Sequence, residues 1–265
     1  MELKKEEDKL LISKIEDKIK FCESKNKIQN SDFLDQNQKQ VLEKYLRIQK
    51  YKNYIFYGGI KEAERNMFIV FPDKLEETIE NNQFDFNTIL DVIRIELPSE
   101  MYGQYSHRNY LGAFMKLGIK REKLGDIIVE ESGADIIICK EITKFLLNSL
   151  GELTRFSKSK VSQINLQEIR NKVIYKQEFT ITIPSMRLDN IISELAKCSR
   201  NKASELIFQE RVFMNYELVT KVSKEVKENS IITIRGNGKF EIREIVGSTR
   251  KDRIILNVAK WDNPR

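Results

Sequence analysis

Two short stretches near the carboxyl end constrain this chain more than any other part of its sequence. Leu188, Ile191, Ile192 and Leu195 recur at helical spacing, and after a break at Lys197-Cys198 so do Ala203, Leu206 and Ile207. Arg187-Leu188-Asp189 opens the first helix, and Ser199 is a natural N-cap for the second. Helices this short are marginal in water by themselves, so their apolar stripes require a packing partner. The β-type runs that follow supply one: Val212-Phe213-Met214-Asn215, then Val219, Val222 and Val226, then Ile231 to Gly236. Two short helices followed by a small twisted sheet make a unit of about 60 residues. Gly236-Asn237-Gly238 has neither a third glycine nor a helix behind it, so it reads as a hairpin turn between Ile234 and Phe240 rather than a dinucleotide loop.

The upstream chain has a different texture. Leu10, Leu11, Ile15, Ile19 and Phe21 fall near one side of a helix over residues 9–22. After a polar break from Glu23 to Asn30, Ser31 or Asp32 is positioned to cap a second helix carrying Phe33, Leu34, Val41, Leu42, Tyr45, Leu46 and Ile48. Gly58-Gly59 punctuates the end of this helical N-terminal unit, residues 1–64. Met67 to Phe71 is a buried-type strand, and Ile89 to Leu97 alternates. Ser106 caps a helix with Tyr110, Leu111, Phe114 and Leu117. Asp126–Glu130 and Asp135–Cys139 flank a Ser132-Gly133 hairpin, and Lys140 to Leu150 is helical. Val161–Ile169 and Tyr175–Ile183 read as further strands, and Phe156 to Lys160 as a flexible linker. The order predicts an α/β sandwich over residues 65–180, an arrangement that is often ferredoxin-like. The fold class is α+β.

Composition excludes several functions. Cys22, Cys139 and Cys198 are far apart and form no CxxC pair, so neither a zinc knuckle nor a dithiol site is readable. His107 is the only histidine, which removes multi-histidine metal sites. No cofactor is expected. No apolar run approaches the roughly 20 residues of a membrane span, and the first residues are unlike a signal peptide, so the expected location is cytoplasmic. The net charge of +6 is asymmetric: Ser185 to Arg265 holds 16 Lys and Arg against 11 Asp and Glu, whereas residues 1–184 hold 30 against 29. Basic excess concentrated in one segment is the footprint of a polyanion partner.

The carboxyl-terminal residues Arg187-Leu188-Asp189, Ser199-Arg200, Ala203, Leu206-Ile207, Val212, Asn215, Val222 and Val226 resemble the S4 RNA-binding domain of the αL type. Glu210 and Tyr216 depart from that pattern, standing where the family usually has glycine. The resemblance gives an S4 module over residues 181–246, followed by a strand or tail over 247–265. Within the module, Arg187, Lys197, Arg200, Lys202 and Arg211 are candidate phosphate contacts, with Ser199 at a helix start whose N–H groups can bind another. Asp189 is expected to pair with a neighbouring Arg or cap the first helix, not to act as a catalytic acid.

Further motifs widen the likeness. Tyr57-Gly58-Gly59, Ala63-Glu64-Arg65, Ser106 to Ala113, Leu117 to Asp126 and Ile234 to Phe240 resemble the YlmH family. That resemblance implies a bacterial cytosolic, non-enzymatic protein that contacts rRNA and tRNA on the large ribosomal subunit and takes part in rescue of stalled translation. It also implies a connection with cell-division proteins. Arg108, Lys120, Arg121 and Lys123 form a second basic group, a candidate contact with RNA or the ribosome. The alternative is an RNA-modifying enzyme, a pseudouridine synthase or methyltransferase, with S4 as delivery module. Against it, neither a catalytic Gly-Arg-Leu-Asp loop nor a methyl-donor glycine motif is present upstream.

Overall fold

The computed structural model describes residues 6–170 and 175–262. In chain order the elements are α1 (Glu6–Lys25), β1 (Gln29–Leu34), α2 (Gln36–Ile48), β2 (Tyr54–Tyr57), β3 (Asn66–Val70), α3 (Glu76–Glu80) and β4 (Leu90–Glu96). There follow α4 (His107–Lys116), β5 (Leu124–Glu130), β6 (Gly133–Cys139), α5 (Thr143–Ser149), β7 (Lys160–Ile164) and β8 (Tyr175–Ile183). The last are α6 (Leu188–Leu195), α7 (Arg200–Phe208), β9 (Val212–Met214), β10 (Glu217–Leu218), β11 (Ile231–Ile234), β12 (Gly238–Ser248) and β13 (Ile254–Asp262). The described residues divide into two compact units, 6–170 and 175–262.

The first unit stacks four layers, and period-two alternation explains why. In β3, Phe68 and Val70 face Ile12, Ile15, Leu42 and Leu46 of α1 and α2, whereas Met67 and Ile69 face the opposite way. That opposite face meets Leu90, Val92, Ile128 and Ile137 of a second sheet. The second sheet's other face, Ile93, Ile95, Ile136 and Ile138, packs on Tyr110 and Phe114 of α4 and Leu146 of α5. The layers are therefore helix, three-stranded sheet, four-stranded sheet, helix. Strands buried on both faces read as continuous apolar runs, which is why Met67–Val70 and Ile136–Ile138 lack polar alternation. The four-stranded sheet has the order β5-β6-β4-β7, all antiparallel. With β4-α4-β5-β6-α5-β7 along the chain, this is the ferredoxin-like βαββαβ arrangement.

Four expectations need correction. Residues 1–64 are not a helical unit: β1 and β2 flank β3 in one antiparallel sheet, so the expected boundary at 64/65 runs through a sheet. The α2 cap is Asp35, whose carboxylate accepts from the Gln38 N–H at 2.8 Å, and not Ser31 or Asp32. Ser31 instead accepts from the buried Phe68 N–H at 2.9 Å. On α1, Leu10 and Phe21 are exposed, and the buried side is Ile12, Ile15 and Cys22. Nor is Phe156 part of a flexible linker: it is fully buried and stacks on Tyr110 with ring centroids 5.6 Å apart.

The second unit is a six-stranded antiparallel sheet of order β10-β9-β11-β12-β13-β8 with α6 and α7 on one face. The helices contribute Leu188, Ile191, Ile192, Leu195, Ala203, Leu206 and Ile207, as their spacing predicts. The sheet answers with Val212, Ile232, Ile234, Phe240, Ile242, Leu256 and Val258. Of the strand or tail expected over 247–265, residues 254–262 form a strand: β13 lies between β12 and β8, and β8 belongs to this sheet rather than to the middle one.

Candidate nucleic-acid interface

The start of α6 is tied to the loop before β11. The N–H groups of Leu188 and Asp189 donate to the carbonyls of Lys224 (2.9 Å) and Val222 (3.2 Å), and the Val226 N–H donates to Met186. This end is thereby closed to an outside anion. The start of α7 differs: Ser199 Oγ accepts from the Lys202 N–H at 3.2 Å, which leaves the N–H groups of Arg200 and Asn201 for an outside acceptor.

Asp189 joins the two helix starts. It is 2 % exposed, and Arg187 donates to its two oxygens through Nε and Nη2, both at 3.1 Å. Arg200 Nε donates to Asp189 Oδ2 at 2.6 Å. Burial alone would push the Asp189 carboxyl up; the hydrogen bonds from Arg187 and Arg200 outweigh it and hold the group below its usual value. The Arg187 guanidinium is raised by the same hydrogen bond. One carboxylate thus fixes two guanidiniums with a net charge of +1, and the remaining N–H groups of both arginines stay available. Forked guanidiniums held side by side suit phosphate oxygens.

The other candidate residues divide. Lys197, in the left-handed region at φ 51°, and Lys202 are exposed beside this pair. Lys202 makes an i,i+3 ion pair with Glu205 at 2.7 Å, both more than half exposed, a contact of little energy in water. Arg211 lies beyond the other end of α7 and donates to the Arg235 carbonyl at 2.7 Å, away from the helix starts.

The second basic group does not form one surface. Arg121 donates to the carbonyls of Leu124 and Gly125, and burial beside Arg65 pushes it down to about 10. Lys123 is held by Asp32 at 2.6 Å and Glu141 at 2.5 Å. Burial would lower Lys123, but those partners keep its ammonium above the ordinary lysine value. Arg108 and Lys120 remain exposed, as does His107 at the start of α4. The nearby motifs are also structural. Asp126 accepts from the N–H groups of Glu64 and Arg65 at 2.9 and 3.0 Å. A Cβ on Gly58 would lie 2.3 Å from the Arg65 carbonyl oxygen, so only glycine fits there. Among the described residues no group of three His, Cys, Asp or Glu side chains could hold a metal ion, and no helix is long and apolar enough to cross a membrane.

Comparison with known proteins finds two family matches on the chain. The family "S4 domain" covers residues 186–232, and "Putative RNA-binding domain in YlmH" covers 81–170. The chain is 30 % identical over 225 residues to "Ribosome-associated protein quality control protein P2" of Bacillus subtilis (strain 168), spanning 84 % of this chain and 83 % of that one. The chain belongs to the YlmH family of S4-domain proteins. A solved structure, "Cell division protein ylmH from Streptococcus pneumoniae", shares its fold at a TM-score of 0.50 and 17 % identity, over 64 % of this chain and 99 % of that one. In YlmH terms, the S4 description takes in α6, α7, β9 and β10 and reaches into β11, and the other covers the ferredoxin-like sheet. The motifs that carried the YlmH resemblance at Gly58, Arg65 and Asp126 are therefore fold determinants, which their residue types did not reveal.

Proposed function

We propose that this YlmH-family chain is a non-enzymatic, cytoplasmic RNA-binding factor acting on the large ribosomal subunit. In this reading the S4 helices contact rRNA and tRNA backbone during rescue or quality control of stalled translation. The observation that carries it is the Arg187–Asp189–Arg200 cluster, which presents two preset guanidiniums beside the open N-terminus of α7. A-form RNA hides its base edges in a deep groove, so a pair of forked cations suits recognition of backbone and shape. The name of the Bacillus subtilis relative supports the ribosomal setting. Lys197, Ser199 and Lys202 complete this contact, with Arg211 at a separate position; Arg108 and Lys120 are the members of the second basic group left to face a partner.

The test is co-sedimentation of the purified chain with large subunits. The wild type should pellet with them, and Arg187→Ala with Arg200→Ala should shift it to the supernatant. Unchanged pelleting of the double variant would overturn the assignment of this site.

A further inference from the structure

The face of the C-terminal sheet turned away from α6 and α7 carries an aromatic and basic row. Val212 and Met214 point into the core, so Phe213 between them points out, and pairing continues the row across the sheet. Phe213 stands opposite Thr233, Thr233 opposite Lys239, and Lys239 opposite Trp261. Three strand spacings of about 4.8 Å separate Phe213 from Trp261, roughly 14 Å in all. The cations lie over the rings: Arg235 is 4.8 Å from the centroid of Phe213, and Lys239 is 5.0 Å from that of Tyr216 and 4.2 Å from that of Trp261. Arg211 joins the same end through its bond to the Arg235 carbonyl. The next row along the sheet is acidic, Glu241 and Glu178, with Arg243 bonded to Glu178 at 2.6 Å, which sets an edge to the basic patch.

Two half-buried rings in a row on the sheet and a third, Tyr216, in the turn after β9, with two cations against them, match what unpaired nucleotides need. Every base has a π-face to stack on an aromatic ring, and the phosphates between bases need positive charge within reach. A duplex cannot use such a row, because its bases are already stacked on each other. We propose that this face binds a single-stranded RNA segment of two or three nucleotides, stacked on Phe213, Tyr216 and Trp261 with phosphates met by Arg235, Lys239 and Arg211. The inference deepens the RNA-binding reading above and rests on it, but uses a different face: α6 and α7 take structured backbone, and the opposite side of the sheet takes unpaired bases.

Trp261 is the only tryptophan in the chain, so its fluorescence reports directly on this face. The full-length protein is titrated with a six-nucleotide oligoadenylate, with a blunt RNA duplex of equal phosphate count, and with inorganic polyphosphate. Saturable quenching by the single strand is expected, with Phe213→Leu and Lys239→Ala each raising the half-saturation concentration about tenfold. Arg187→Ala with Arg200→Ala should leave this quenching intact while releasing the ribosomal subunit, so the two readings fail separately. Equal quenching by duplex or polyphosphate would reduce the face to unspecific charge and overturn the proposal. So would half-saturation unmoved in both single variants. Absence of quenching by the single strand would also overturn it, leaving the row to a protein partner.

Discussion

Asp189 is buried between two arginine side chains that remain 42 % and 54 % exposed. This arrangement separates two accounts of RNA affinity. If charge alone mattered, Asp189→Ala would raise the net charge by one and tighten binding. If fixed orientation matters, the same change frees both guanidiniums and weakens binding; the expected outcome is the second, read by anisotropy of a labelled RNA hairpin. The stability cost should be about 1 kcal/mol, below the usual range for hydrogen bonds to charged groups, because both cations regain water. Its pH dependence follows from the depressed carboxyl: the contribution is present above the unfolded value near 4, and is lost as pH falls through the lower folded one. Urea midpoints of wild type and Asp189→Ala should therefore differ at pH 6 and draw together as pH falls below about 4. Glu210 and Tyr216 give a second residue-scale case. They occupy places usually glycine in this family and adopt φ of 57° and 66°. A left-handed L-residue is strained, and glycine gives back part of the gain as chain entropy. Glu210→Gly should raise stability by about 0.5 kcal/mol in thermal unfolding.

At the scale of elements, legibility followed burial. Helices α6 and α7 were readable because each has one buried stripe whose spacing survives in the sequence. Strand β1 was not: Gln29-Asn30-Ser31-Asp32 has no apolar run, and it is a strand because β3 offers it a ladder. With Phe33 and Leu34 in that strand, α2 begins only after Asp35, whose cap and the Gln38 side chain close a reciprocal box. Asp35→Ala should cost about 1 kcal/mol in chemical unfolding, the usual loss for a helix cap. A deficit within experimental error would mean that packing alone fixes where α2 starts. Hairpin β5–β6 shows the opposite balance. Ser132-Gly133 marked the turn in the sequence, and the structure adds that a Cβ at Gly133 would stand 1.9 Å from the Ile95 carbonyl oxygen.

At the scale of the whole molecule, the basic excess sits in the last 81 residues, +5 against +1 for the rest. Affinity for RNA should fall with salt, and each phosphate-contacting Arg removed should flatten the log–log slope by about one unit. Arg187→Ala and Arg200→Ala are expected to do so singly, measured from 50 to 200 mM potassium chloride. An unchanged slope in both would place the phosphate contacts elsewhere.

The amino-acid sequence by itself determined the paired helices of the S4 module, the buried strand runs and the segregation of charge, since these follow from local periodicity and composition. Only the tertiary structure decided which cations still face outward, because Lys123 is bonded to carboxylates distant in sequence and Arg121 to carbonyls of its own turn. It likewise decided that β8 crosses to the C-terminal sheet and that the first strands share a sheet. A backbone ladder joins residues far apart in the chain, and hydrogen-bonding groups common to every residue leave no mark in a sequence.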